Sequence, residues 1–355
     1  MKLNFNAGPA ALPLEVLETA SRSVLEYKDS GMSILSIPHR GPHFKAILDD
    51  ARKHVLQLLG LSEEEYAVMW FQGGGRLQFE MIPMNFLPDG DTAAYIDSGR
   101  WAADAMSNAE RYGKVHIAAS SREDDYRQVP TEWNIPEEAA YLHLTANNTI
   151  YGTQSFTFPD TDVPVIADFS SELFSRKLDY SRFAMIYAVA QKNIGPSGAT
   201  LVIARKSFIQ QPVRELPEIL SYKAMAEKNS LVNTAPVFSI YVSSLYLGWM
   251  AAKGMDAIEQ ESIEKSELLY HYIDQSSLYY TVAAPGSRSR MNVCCRLRRE
   301  ELTDALVAFA ATRGILGIGG HRNIGGLRIS IYNAISLQDT HQLLAVLKEF
   351  EQMHA

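Results

Sequence analysis

The stretch Tyr66-Ala67-Val68-Met69-Trp70-Phe71-Gln72-Gly73-Gly74-Gly75-Arg76 sets an unbroken apolar run directly before three glycines. A run without polar alternation is what a strand buried on both faces looks like, and the glycines after it let the backbone turn sharply into the next element. The same grammar recurs at Thr92 to Ile96, ahead of a helix carrying Trp101, and at Val115 to Ala118. It continues through Ala140 to Leu144, Val163 to Ala167, Ala184 to Ala190 and Thr200 to Ala204. Short apolar strands interleaved with helical stretches predict an α/β domain around a mostly parallel central sheet.

Outward from this block, Leu14, Leu17, Val24 and Leu25 recur near helical spacing after Pro13, with Gly31 ending the segment. Phe44, Ile47, Leu48, Ala51, Val55, Leu58 and Leu59 fall on one helical stripe that Gly60 is placed to cap. Past Gly254 the pattern changes. A long helix around Ile258 to Ile273 is followed by strands near Tyr279 to Val282 and Met291 to Leu297, and by a helix from Glu301 to Thr312. A strand at Leu327 to Tyr332 and a closing helix from Leu337 to Phe350 complete it. This predicts a large domain over 1–254 and a smaller α+β domain over 255–355, with an N-terminal segment that can pack on the small one.

The chain has 355 residues, 46% apolar and 21% charged, enough to bury a sizeable core, and a net charge of -8. That balance argues against a nucleic-acid or anionic-membrane surface, both of which require clustered positive charge. The first residues, Met1 to Asn6, lack the apolar stretch of a secretion signal, and no segment reaches roughly 18 uninterrupted apolar residues. The expected location is the cytoplasm. The two cysteines, Cys294 and Cys295, are neighbours in a predicted strand, pointing to opposite faces, which suits neither a disulfide nor a metal site. No HExxH or comparable ligand pair is present, so no metal is expected.

Three segments carry chemistry. In Tyr187-Ala188-Val189-Ala190-Gln191-Lys192, a buried strand delivers one lysine to its C-terminal end, where ligand sites of open α/β sheets lie. A desolvated lysine has a lowered pKa and can attack an aldehyde; the alternative is a head that snorkels to solvent. In Val165-Ile166-Ala167-Asp168, a carboxylate ends another apolar strand, suited either to a pyridine nitrogen or to a turn. The Gly73 turn ahead of a helix offers free N–H groups to a phosphate, although it lacks the GxxxxGK[ST] pattern of nucleotide triphosphate sites. Gly317-Ile318-Gly319-Gly320-His321-Arg322 fails the GxGxxG dinucleotide test at its last glycine, and its His321 and Arg322, with Arg328, suit an anion.

In order and local sequence these segments resemble the phosphoserine aminotransferase family, class V of the fold-type I enzymes that use pyridoxal 5'-phosphate (PLP). The marks are Asn6 to Ala10, Ser36 to Gly41, the Gly73 turn, Ala167 to Ser171, Ala190 to Pro196, Asn233-Thr234, Arg288 to Val293, and Gly320 to Arg322 through Gly326 to Asn333. They span essentially the whole chain. The resemblance implies that Lys192 carries PLP as a Schiff base, Asp168 pairs with the ring nitrogen, Trp101 stacks on the ring and Thr149 bonds near the ring hydroxyl. Gly75, the Arg76 backbone and Gln191 would hold the cofactor phosphate, with Asn233 and Thr234 arriving from the partner subunit of a homodimer.

It further implies reversible amino transfer from L-glutamate to 3-phosphohydroxypyruvate, giving 2-oxoglutarate and 3-phosphoserine on the route to serine. The phosphorylated hydroxythreonine precursor of PLP is an added substrate in some relatives. Lys192, freed from the cofactor by the incoming amine, would act as general base. His39, Arg40 and Arg76, with His321 and Arg322 of the other subunit, would bind the side-chain phosphate or carboxylate, and Arg328 the α-carboxylate. Leu77, Asn148 and Val189 stand where relatives often carry Gly, Glu and Gly. The rivals are a glyoxylate transaminase or cysteine desulfurase of the same class, and a non-catalytic PLP-binding regulator. The two cysteines lie in a predicted strand rather than a mobile loop, and the substrate arginines are retained, which counts against the last two.

Overall fold

The apolar runs build a seven-stranded sheet whose alternate side chains feed two separate cores. The computed structural model describes residues 2–322 and 324–354; Met1, which opens the N-terminal stretch, Asn323, inside the Gly320 to Asn333 stretch, and Ala355 lie outside the described residues. The chain begins with β1 (Leu3–Asn4), α1 (Leu14–Leu25) and α2 (Pro42–Leu59), then β2 (Tyr66–Phe71) and α3 (Gly74–Phe86). Next come β3 (Thr92–Asp97), α4 (Arg100–Ala109), β4 (Lys114–Ser120), β5 (Leu142–Thr145) and a small hairpin of β6 (Asn147–Asn148) and β7 (Thr153–Gln154). β8 (Val165–Asp168), β9 (Met185–Val189), the single turn α5 (Ala190–Asn193) and β10 (Thr200–Arg205) follow, and then α6 (Lys206–Ile209), α7 (Tyr222–Glu227) and α8 (Val237–Lys253).

The sheet order is β2-β10-β9-β8-β5-β3-β4, parallel throughout except for β10, which runs antiparallel to both neighbours. On β2, Val68 and Trp70 pack toward α1, α2 and α8, whereas Met69 and Phe71 pack toward α3, α4 and α7. That two-sided burial is why these strands lack polar alternation. The outer strand β4 is the exception to double burial, with Ile117 49% exposed.

Gly60 ends α2 in the left-handed conformation at φ 65, its N–H reaching the carbonyls of Leu56 and Gln57. The first helix stops short of Gly31. Glu26 turns extended at φ -149 and ψ 125, and the Gly31 N–H is taken by the Glu26 carboxylate at 3.0 Å. Helix α8 has no counterpart in the sequence reading. It is apolar almost all round, so no periodic stripe marks it, and it is covered by α1 and α2.

The remainder comprises α9 (Met255–Gln275), β11 (Tyr279–Thr281), β12 (Asn292–Leu297), α10 (Thr303–Thr312), β13 (Ile315–Leu316), β14 (Leu327–Ser330) and α11 (Leu337–His354). Three of its strands form an antiparallel sheet, β11-β12-β14, over a third core that includes Phe5. β1 pairs in parallel with β13, tying the first residues to this C-terminal unit. Among the described residues no helix is long and apolar enough to cross a membrane.

A buried polar network joins the C-terminal unit to the large sheet. Asn147 donates its amide to Ser171 Oγ at 2.7 Å and Asn292 Oδ1 at 2.8 Å. Asn292 Nδ2 donates onward to Ser330 Oγ and the Tyr332 hydroxyl, which in turn donates to the Ala7 carbonyl at 3.0 Å. Behind it, fully buried Lys265 on α9 gives its ammonium donors to the carbonyls of Ile331, Tyr332 and Ile335 at 3.1, 3.1 and 2.7 Å. Replacing Lys265 with Met strands three carbonyls in an apolar setting, so stability should fall by at least about 2 kcal/mol in urea unfolding. A change within about 0.5 kcal/mol would mean that water replaces the ammonium.

Candidate active site

Asp168 ends β8, Lys192 follows the end of β9 by three residues, and Trp101 opens α4 just beyond β3. Because β3, β8 and β9 run in parallel, these side chains emerge at the same edge of the sheet. They face one cavity of about 430 Å³, whose wall also includes Gly73, Gly74, Gly75, Arg76, Thr149, Gln191, His321 and Arg328. A larger cleft, about 700 Å³, lies elsewhere, around Asp91, Pro159 to Val165, Arg182 and Arg205. It contains no lysine or glycine-rich turn, and the guanidinium groups of both its arginines donate to main-chain carbonyls. The smaller cavity is the candidate site.

Lys192 keeps part of its surface open to the cavity, yet the surrounding protein desolvates the amine. Burial lowers its pKa, Asp168 opposes that shift, and Arg328 reinforces it. Burial raises the pKa of Asp168, while Lys192, Ser170 and Tyr187 act to hold the carboxylate ionised. The Ser170 N–H donates to Asp168 Oδ1 at 2.8 Å. Lys192 Nζ stands 5.8 Å from the centroid of the Trp101 ring, and the buried Trp101 Nε1 has no partner among the described residues.

The phosphate end is the start of α3. Gly73 takes φ 92 and Gly74 φ 68, and no side chain caps the helix, so its first N–H groups point outward with the positive end of the helix dipole. A Cβ on Gly73 would lie 2.6 Å from Leu77, and one on Gly75 3.5 Å from Val189 Cγ1. The two departures at 77 and 189 therefore pack beneath this turn. A planar ring between Lys192 and Asp168, with a phosphate on the Gly73 turn, fits both the volume and this donor set. Among the described residues no cluster could hold a metal ion.

The anion ligands divide. Arg328, on β14, lines the cavity with a buried Nε that lacks a partner among the described residues. Arg76 lines it too, 70% exposed and 3.3 Å from Asp104, which also binds Arg100 at 2.9 Å. His321 lines the cavity of its own chain, its pKa lowered by burial and by Arg328, Arg322 and Arg100. Exposed Arg322 and Arg40 and half-buried His39 do not line it. Asn233 and Thr234 also stay outside, beside the Gly73 turn: Asn233 Nδ2 donates to Gln72 Oε1 at 2.7 Å and Gln72 Nε2 to the Thr234 carbonyl at 3.3 Å.

Some wall residues had no role in the sequence reading. Gly8 lies across Lys192, and a Cβ there would sit 3.4 Å from Lys192 Cγ. Ala10 N–H is bound to the Gln191 carbonyl at 2.9 Å, which seats the N-terminal segment over the lysine. Ala7, Phe79 and Ser170, with Val189, complete the lining. Asn148 joins two loops of the site, donating to the Ser98 carbonyl at 2.7 Å and accepting from Ile150 N–H at 3.1 Å. A Glu there has no N–H to give Ser98.

The chain matches the aminotransferase class-V family model over residues 2–343. It is 44% identical over 352 residues to the phosphoserine aminotransferase of Bacillus subtilis (strain 168), covering 98% of each chain. The structure of phosphoserine aminotransferase from Bacillus circulans subsp. alkalophilus superimposes with a TM-score of 0.97 at 43% identity, over 100% of this chain and 99% of that one. A PLP-bound phosphoserine aminotransferase from Trichomonas vaginalis gives a TM-score of 0.93 at 32% identity, over 98% and 100%.

Proposed function

The chain belongs to the class-V aminotransferases and is a PLP-dependent enzyme of amino transfer on phosphoserine; from that premise we propose how its residues divide the work. One observation carries the assignment: Lys192, Asp168 and an uncapped glycine-rich helix start meet in a single cavity. The reaction exchanges the amino group between L-glutamate and 3-phosphohydroxypyruvate, with 2-oxoglutarate and 3-phosphoserine as the other pair. Purified holoenzyme given phosphoserine and 2-oxoglutarate should form glutamate at the rate phosphoserine is lost. No glutamate from folded, cofactor-loaded protein would reject the assignment.

When bound, PLP supplies an aldehyde that condenses with amines and a ring that accepts the electron pair released at the substrate Cα. Lys192 holds the cofactor at rest. Burial favours its neutral amine, so Nζ, when free, would be the base that takes the α-proton and returns it. The Asp168 carboxylate would hold the proton on the ring nitrogen. Trp101 would cover one ring face and exclude water from it, Thr149 would bond near the ring hydroxyl, and the Gly73 to Gly75 turn, the Arg76 backbone and Gln191 would hold the phosphate. Arg328 orients the α-carboxylate by a two-pronged contact.

We assign the side-chain phosphate to Arg76 and to His39, Arg40, His321 and Arg322 gathered across a homodimer, in which Asn233 and Thr234 also reach the neighbouring cofactor. The exposure of Arg40, Arg322 and Thr234, and the half-buried His39 and Asn233, all outside the cavity of their own chain, support this reading. The third core, drawn from Phe5 and from Leu269 onward, supports a division into two domains near 254, and the unpaired thiols of Cys294 and Cys295 suit the cytoplasm.

Mixing tests the shared site. Lys192→Ala and Arg322→Ala subunits, each inactive alone, are unfolded together in equal amounts and refolded. If Arg322 acts in trans, each heterodimer holds one intact site, and recovery should approach about one quarter of wild-type activity. Mass-verified mixed dimers no more active than the parents would show that Arg322 serves its own chain.

A further inference from the structure

Beneath the cavity floor three side chains stand in file on one face of the central sheet. Asp168 and Tyr187 are register partners on β8 and β9, so their side chains share a face. His143 lies two positions before Thr145, the register partner of Asp168 on β5, and therefore points the same way. The His143 Nε2 is 2.9 Å from the Tyr187 hydroxyl. That hydroxyl also acts on the Asp168 carboxylate, drawing its pKa down.

The file is dry. His143 is 1% exposed and Tyr187 0%, with the Phe79 ring edge-on to the imidazole at 6.5 Å and the Tyr95 ring at 5.1 Å. Burial alone keeps the imidazole neutral, pulling its pKa down to about 3. A neutral imidazole carries one N–H, and His143 Nδ1 has no partner among the described residues. A buried N–H without an acceptor is rarer than a lone pair without a donor, so the hydrogen belongs on Nε2. Nε2–H then donates to the Tyr187 oxygen, and the single Tyr187 proton is left for Asp168. The other titratable groups facing the file are Lys192, opposite Asp168, and Tyr95, Tyr141 and Tyr222 around Tyr187.

We propose that His143 and Tyr187 are positioning residues for Asp168, a one-directional donor relay that keeps its carboxylate ionised and aimed. The proton shared between Asp168 and the cofactor's ring nitrogen consequently resides on the nitrogen, where it draws electrons from the reacting carbon. Each donor strengthens the next, as in other buried hydrogen-bond chains. No proton moves along the file. The inference rests on the role given to Asp168 above.

Holoenzyme reconstituted with isotope-labelled cofactor reports the protonation of the ring nitrogen by NMR. Asp168→Ala marks the unprotonated end of the scale and the wild type the protonated end. A hydrogen bond to a charged group is worth at least about a tenfold shift in proton occupancy, so Tyr187→Phe should move the resonance toward the Asp168→Ala position. His143→Leu should move it less in the same direction. His143→Gln, whose amide still donates, should stay with the wild type. The rate of the glutamate half-reaction should fall about tenfold in Tyr187→Phe, with KM changed less than about twofold. Packing loss alone would lower thermal stability without moving the resonance. If Tyr187→Phe does not fold, the two His143 variants, which leave Tyr187 in place, decide by the same criterion.

Resonances of the folded Tyr187 and His143 variants that coincide with wild type, beside an Asp168→Ala resonance that has moved, overturn the relay and leave the role of Asp168 standing. An Asp168→Ala resonance that has not moved overturns both.

Discussion

Replacing Lys192 with Ala should lower turnover by more than about a thousandfold and abolish the visible absorbance of the bound cofactor. Two losses coincide in this variant: the amine that carries the cofactor and the base that moves the α-proton. No other lysine lines the cavity among the described residues, and Arg76 and Arg328 offer guanidinium groups rather than an amine. The side chain lies partly open at the cavity edge, so its truncation should leave the fold intact, which far-ultraviolet circular dichroism checks. Lys192→Arg should be equally inactive, since it keeps the charge and lacks a free amine. A coloured, active variant of either kind would remove Lys192 from its role.

Asp168→Ala should fold, retain some cofactor, and lose activity by at least about a hundredfold. The reason is electrostatic: a ring without a nearby anion gives up its nitrogen proton and accepts electrons poorly. A second effect adds to it. Asp168 favours the charged form of Lys192, so its removal lowers the lysine pKa further, and the lysine should react with aldehydes at lower pH. Asp168→Asn separates charge from shape, because the amide fills the same volume while bearing no charge. Equal losses in Ala and Asn, measured as single-turnover rates with glutamate, place the effect in the charge; near-normal activity in Asn would place it in packing.

The strands of the large sheet were legible because burial on both faces leaves a continuous apolar run, and the turn after β2 because its glycines take φ values that other residues avoid. The direction of β10 was not. Thr200–Arg205 is as apolar as the parallel strands of the sheet, and strand direction depends on the connection from β9, which no local pattern encodes. The β1–β13 pair involves two residues on each side, too few for any period to register. In the site, Lys192 and Asp168 announce themselves as polar residues closing apolar strands. Gly8 gives no such signal, since it covers Lys192 from a segment far away in sequence. His143 was passed over within a strand otherwise apolar, and its importance emerges only from the Tyr187 hydroxyl two strands away.

The parallel pairing of Leu3–Asn4 with Ile315–Leu316 sets an order of events during synthesis. About 310 residues separate the partners, and a ribosome adding about 5–20 residues per second needs roughly 15–60 s to cover that distance. The large sheet can form in this interval, but the segment that carries Gly8 over Lys192 has only its Ala10 N–H bond to Gln191 and lacks its strand partner until β13 emerges. Nascent chains arrested before residue 315 should therefore present an accessible lysine that a small aldehyde modifies readily, and chains released after that point a shielded one. The enzyme would thus acquire its sheet early and its closed site only as translation ends.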